Sequence, residues 1–192
     1  MFMRVKDEFK QDALFNATVK LVNEIGFVSS SVSKIAHEAQ VSPATIYVYY
    51  KNKEDLLVST YVAIKKKLSI AMLHDFDPAL PIRDIFRRVW LNMFQYISEY
   101  PGYFHFTEQF ANSPYSDLVN KEEVEKSFEP LFRVLQKGID QKIIKNVSFD
   151  ILTAFMFYPI YSLSNKRLCA GFEQNKKNIE TAFTLAWDAI KL

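Results

Sequence analysis

The 192-residue chain is poor in the residues that mark several common kinds of protein. It has one cysteine, Cys169, so no disulfide can form within it, and a reducing compartment, the cytoplasm, is expected. Four glycines are too few for a succession of hairpin turns, and no extended period-2 run of β-branched residues occurs. The longest apolar run, ILTAFMFYPIYSL at 151–163, contains Pro159 and falls short of the roughly 20 residues that span a bilayer. The opening MFMRVKDEFK has no apolar core of a signal peptide. No HExxH, CxxC, GxSxG or glycine-rich phosphate loop is present, and His37, His74 and His105 lie far apart. His105 and Glu108, three apart, amount at most to half a metal site. Neither an enzyme nor a cofactor nor a metal centre is expected.

What is present is aromatic. Seventeen Phe and ten Tyr help bring the aromatic share to 15%, which with so little glycine points to an all-α protein around an aromatic interior. The net charge of +2 is too small to identify a partner, but it is unevenly placed. Residues 1–68 hold ten Lys/Arg against seven Asp/Glu, and the remainder fourteen against fifteen. A mildly basic first third fits a polyanion contact there.

Local signals divide the chain into about nine helices. Residues 7–25 carry Leu14, Ala17, Thr18, Leu21 and Ile25 at spacings of three and four, with Gly26 as a left-handed stop and Phe27 closing the cap. Ser31 caps a short helix over 32–39. Ser42 caps another that starts at Pro43, where a missing N–H costs nothing, and ends near Lys51. Asn52 and Asp55 start a fourth helix that reaches about residue 73. Further helices are read at 82–99, 103–112, 117–137, 148–165 and 174–191, with breaks at Pro101-Gly102, Asn112-Ser113-Pro114, Gly138 and Ala170-Gly171. Pro130 and Pro159 should kink or split the helices that contain them.

The two short helices over 32–51 form a helix-turn-helix pattern. Ala36 and Ala39 let them cross closely above Ile35, Val41 and Ile46. On the second of them, Ile46 and Tyr50 face inward with part of Tyr47, and Ala44, Thr45, Val48 and Tyr49 face outward. That outward face carries no acid and begins at a helix N-terminus, which suits a phosphate backbone. Thr45, Tyr49, Ser31 and Lys53 can donate to phosphate oxygens. No Arg, Gln or Asn stands there to read G or A bidentately, so DNA shape is expected to carry much of any specificity.

The stretches DALFNATVKLVNEIGF and SVSKIAHEAQVSPATIYVYYKNKEDLL, within residues 10–57, resemble the N-terminal domain of the TetR family of bacterial transcriptional regulators. The resemblance implies a helix-turn-helix DNA-binding domain over 1–53 and a larger helical effector-binding and dimerisation domain over 54–192. It implies DNA contacts at Pro43, Ala44, Thr45, Tyr47 and Tyr49, with Lys53 as a phosphate clamp; Ser31 and Ser42 are further candidates. The sequence departs from the family pattern at Gln40, where glycine is usual, and at Tyr50, where phenylalanine is common. A non-glycine residue held left-handed at position 40 costs about 1–2 kcal/mol.

Two half-sites require a dimer, and the last two helices are the expected seam: Leu152, Phe155, Met156, Leu163, Ile179, Phe183, Ala186, Trp187 and Ile190. The resemblance further implies an effector pocket, for which Phe86, Trp90, Phe94, Phe104, His105, Glu108, Phe128, Phe132 and Tyr158 are candidates. The expected protein is a repressor that a small lipophilic or aromatic effector releases from a double-stranded DNA operator. The alternatives are a nucleoid-associated or architectural DNA-binding protein without an effector, and a ligand-binding module that no longer binds DNA.

Overall fold

The computed structural model describes residues 2–192, with side chains from residue 7 onward. Ten α-helices follow in order: α1 (Phe2–Ser29), α2 (Val32–Glu38), α3 (Pro43–Tyr49), α4 (Lys53–Met72), α5 (Ile82–Glu99), α6 (Pro101–Ala111), α7 (Lys121–Lys126), α8 (Glu129–Asp140), α9 (Phe149–Ser164) and α10 (Lys176–Ile190), with a 3-10 turn at Pro114–Leu118. No β-strand forms among the described residues, and the fold is all-α as expected. None of these helices is long and apolar enough to cross a membrane.

The tenth helix comes from Pro130. Its ring and missing N–H fit only a first turn, so the helix expected over 117–137 divides into the 3-10 turn, α7 and α8. Pro159 behaves differently and stays inside an unbroken α9. The break expected at Gly138 does not occur either. Gly138 lies within α8 because the chain folds back over it, and a Cβ there would stand 2.5 Å from Ile144 Cδ1. Glycine is needed at 138 for close approach, not to end a helix. Gly26 does adopt a positive φ of 75°, but with ψ at 169° it is a kink inside α1 and the helix resumes to Ser29. That backbone region is accessible essentially to glycine alone. The Ser30 hydroxyl and amide both donate to the Gly26 carbonyl, at 2.7 and 3.2 Å, and fix the bend.

The chain forms two compact units, neither of them continuous in sequence: Met1–Ile64 with Gly102–Asn120, and Lys65–Pro101 with Lys121–Leu192. In the first unit, one cluster packs Leu14, Ala17, Ile35, Ala36, Ala39, Ile46 and Leu56 beneath the two short helices. A second packs Phe15, Val19, Val22, Phe27, Leu57 and Ile64 against Phe106 and Phe110 of α6. Asn23 joins the two ends of this unit by donating from Nδ2 to the Gly102 carbonyl at 2.8 Å.

The second unit is built on α5, which buries Ile82, Ile85, Phe86, Val89, Trp90, Met93, Phe94 and Ile97 along one face. Trp90 donates from Nε1 to the Met156 carbonyl at 2.9 Å and packs edge-on against Phe183. Arg87 forks onto Glu180 of α10, and Arg83 lies 5.3 Å above the Phe183 ring. An isolated bridge between Ile144 and Lys191 ties the turn after α8 to the C-terminal residues.

Gly138→Ala should destabilise the protein by about 1–3 kcal/mol through overpacking. Ile144→Val removes the nearest clashing atom, so the double variant should be more stable than the sum of the two single effects. Urea unfolding of all four proteins measures this, and strict additivity would contradict the close approach.

Candidate nucleic-acid interface

Helices α2 and α3 are joined by a turn whose geometry depends on Gln40. Its φ is 56°, the left-handed region, as its place in the pattern required. With Gln40 left-handed, the Val41 amide donates back to the Ala36 carbonyl at 2.9 Å and the Gln40 amide to that of His37 at 3.1 Å. This pair of bonds is the Schellman closure, which ends α2 and turns the chain toward α3. Ser31 and Ser42 cap the two helices as expected, accepting from the Lys34 and Thr45 amides at 3.3 Å each. Ser42 Oγ also lies 2.9 Å from Thr45 Oγ1, so the two hydroxyls share one proton between them.

A seven-residue helix presents few faces, and α3 divides them sharply. Ile46 is fully buried. Tyr50 and Tyr49 pack partly against the same cluster, their rings 6.4 Å apart and edge to face. Ser42, Pro43 and Ala44 are exposed, Thr45 is half-buried, and Tyr47 and Val48 stand out at 58% and 75%. Tyr47, expected to share the core, therefore faces solvent, while Tyr49 contributes its ring to the interior. Position 47 lies one residue past Ile46 on a 100° step, which turns it away from the cluster.

Two of the expected contacts are engaged within the chain. Lys53, at the start of α4, donates from Nζ to the Phe27 carbonyl at 2.6 Å. The Tyr49 hydroxyl donates to Asp7 Oδ1 at 2.9 Å. The Asp7 carboxylate, accepting a hydrogen bond from the phenol, stabilises its protonated form and holds the Tyr49 hydroxyl above its ordinary pKa range. Asp7 lies forty-two residues from Tyr49, and no sequence pattern announces the pairing. Asn52 Oδ1 caps α4 through the Asp55 amide at 2.8 Å, and the Asp55 carboxylate accepts from the Lys51 amide at 2.8 Å.

Most of the dimer candidates are not on the surface of this chain. Leu152, Met156, Phe183, Ala186, Trp187 and Ile190 turn inward and belong to this chain's own core. Ile179 and Leu163 are half-buried, and Phe155, at 58%, alone of the nine is exposed. The large apolar side chains that α9 and α10 leave outside are Phe149, Ile151, Phe155, Tyr158 and Leu185. Beside them runs an open groove of about 520 Å³ lined by Phe155, Pro159, Leu163, Phe172, Leu185 and Ala189. The phase slipped because α9 is apolar on nearly every side, so its sequence does not say which stripe faces in.

Several of the pocket candidates fill the core and line no cavity. Phe86, Trp90 and Phe94 are filled into the interior of the second unit. Phe132 meets Phe149 edge-on, and Tyr158 lies exposed beside Tyr161. Phe128 is the residue that precedes α8, and Phe104 is a half-buried member of α6. His105 and Glu108 do share a surface cavity of about 680 Å³, together with the Gly26 kink, Gln109 and Asn112. Among the described residues no group of three or more His, Cys, Asp or Glu is placed to hold a metal ion.

Comparison with known proteins agrees with this geometry. Residues 14–60 match the family "Bacterial regulatory proteins, tetR family", and residues 81–191 match "Tetracyclin repressor-like, C-terminal domain". A TetR family transcription regulator from Marinobacter aquaeolei VT8 is 36% identical, with a TM-score of 0.89 over 98% of both chains. An uncharacterized HTH-type transcriptional regulator from Haemophilus influenzae is 24% identical over 94% of this chain and 95% of its own. The transcriptional regulator FadR from Bacillus subtilis, solved in complex with stearoyl-CoA, shares the fold at 20% identity, with a TM-score of 0.69 over 93% of this chain and 96% of its own.

Gln40→Gly should relieve the left-handed strain and stabilise the protein by roughly 0.5–1 kcal/mol, the αL cost of about 1–2 kcal/mol less glycine's extra chain entropy of about 0.5–1 kcal/mol. Chemical denaturation reads the change, and a loss of stability would show that Gln40 is not strained.

Proposed function

The chain belongs to the TetR family of bacterial regulatory proteins, and from that premise we propose that it is a ligand-responsive repressor whose α3 contacts an operator. Proteins of this family are DNA-binding transcriptional regulators rather than enzymes, and they bind operators as dimers. The observation that carries the reading is the acid-free outward face of α3, with Lys53 one turn beyond it. A capped helix N-terminus, the Ser42 and Thr45 hydroxyls and the Lys53 ammonium are the kinds of donor that a phosphate backbone requires. Pro43 and Ala44, small and exposed, allow close approach, and Tyr47 extends the rim. Residues 1–53 act as the DNA-binding part and residues 54–192 as the effector-binding and dimerisation part.

Lys53 is suited to its task by its present partner. An ammonium has three donors, and a single bond to the Phe27 carbonyl orients it while leaving two for a phosphate. Dimerisation sets two copies of α3 at a spacing of about 34 Å, one turn of B-DNA, or a multiple of it. The outward apolar face of α9 and α10, with Phe155 and Leu185 at its centre, is the surface we assign to the second copy. The effector is lipophilic. Support comes from the stearoyl-CoA bound by FadR, a protein of the same fold. Its binding to one of two conformations lowers operator affinity by the difference in its affinity for the two.

Lys53→Ala should weaken binding across all duplexes and flatten the slope of log K against log salt by about 0.9. An unchanged slope in a salt titration would remove Lys53 from the phosphate contacts. Phe155→Glu with Leu185→Glu should halve the mass in light scattering and weaken operator binding. A dimer that survives both substitutions would place the seam elsewhere.

A further inference from the structure

The donors proposed for the DNA contact are not equally free to make it. Lys53 donates to a neutral carbonyl and keeps hydrogens to spare. Ser42 and Thr45 lie near the tip of α3 and share protons only with each other. Tyr49 is different. A phenol has a single proton, and in the free protein that proton is directed at a full carboxylate, Asp7 Oδ1, at 2.9 Å. A phosphate oxygen is likewise an anionic acceptor and cannot accept from the Tyr49 hydroxyl while Asp7 does.

We propose that Asp7 is a determinant of DNA affinity, an internal stand-in for phosphate that holds the Tyr49 hydroxyl until an operator displaces it. The inference rests on the DNA-binding reading of α3 and adds to it a residue outside the helix-turn-helix. Docking exchanges one charge-assisted bond for another, so the Tyr49 hydroxyl contributes little net affinity while Asp7 is present. Non-specific DNA is held more weakly than a fitted site and displaces Asp7 less completely, so the exchange favours duplexes that seat the backbone squarely against α3. The bond also costs the free protein nothing. The Tyr49 ring stays packed on the Ile46 cluster in either state, so only the hydroxyl changes partner.

The test uses the full chain and a fluorescent duplex that the wild-type protein enriches from a randomised library, with affinity read by anisotropy at fixed salt. Tyr49→Phe alone should change affinity by less than about twofold, since it removes a bond from both states. Asp7→Asn should tighten binding about fivefold, because an amide acceptor holds the phenolic proton less strongly than a carboxylate. Adding Tyr49→Phe to Asp7→Asn should abolish most of that gain. Asp7→Ser, which cannot reach the hydroxyl, serves as a second variant and should behave like Asp7→Asn. Unchanged or weaker binding by the two Asp7 variants would make the contact a strut and overturn the proposal. So would a gain that survives intact in the Tyr49→Phe background, which would be the removal of a negative charge alone. Failure of the wild type to enrich any duplex would overturn the DNA-binding reading itself and the inference with it.

Discussion

A seven-residue helix is too short to hold itself in water, and α3 exists because Ile46 is buried. Its neighbours in that cluster come from α1, α2 and α4: Leu14 and Ala17, Ile35, Ala36 and Ala39, and Leu56. Ala36 and Ala39 among them keep the helix axes close, and the left-handed Gln40 sets the direction in which α3 leaves α2. The exposed face of α3 is what remains once Ile46 is fixed. A DNA-contacting surface of this kind is therefore a by-product of a core, and its accuracy is that of the core beneath it.

The same dependence extends to the rim. Lys53 is aimed by the Phe27 carbonyl, and Phe27 is itself held by rings of α6: Phe106 at 5.5 Å and Phe110 at 5.9 Å, each edge to face. The Gly26 kink is what brings Phe27 into that position, since a straight helix would carry the residue past it. The candidate clamp is thus connected through one hydrogen bond and one aromatic cluster to α6, a helix that begins forty-eight residues further along the chain. A rearrangement of α6 has a short physical route to Lys53, through packed side chains that resist small deformations.

Much of this was legible before any coordinates. Caps at Ser31, Ser42 and Asn52, proline at the first position of α3 and a left-handed residue at 40 are local chemistry, decided within four or five residues. The division at Pro130 is of the same kind. Gly138 was misread because glycine has two uses, ending a helix or admitting a neighbour, and the neighbour, Ile144, is revealed only by how the chain returns. Six of the nine side chains expected at a dimer seam on α9 and α10 are buried in this chain's own core, because the apolar pattern of α9 does not say which stripe faces in. The pairing of Tyr49 with Asp7 carried no signal at all, since it joins two helices whose crossing no local rule specifies.

The sequence by itself determined that the chain is helical, where most helices begin and end, and that residues 32–51 form a helix-turn-helix with an acid-free outer face. Those features follow from propensity, capping and periodicity, which act over one or two turns. Only the tertiary structure decided which apolar stripe of α9 and α10 is interior, that Tyr47 faces water while Tyr49 leans on the core, and that Asp7 holds the Tyr49 hydroxyl. Each of these depends on which distant surface arrives first to bury a side chain, and that is a property of the whole packing rather than of any stretch within it.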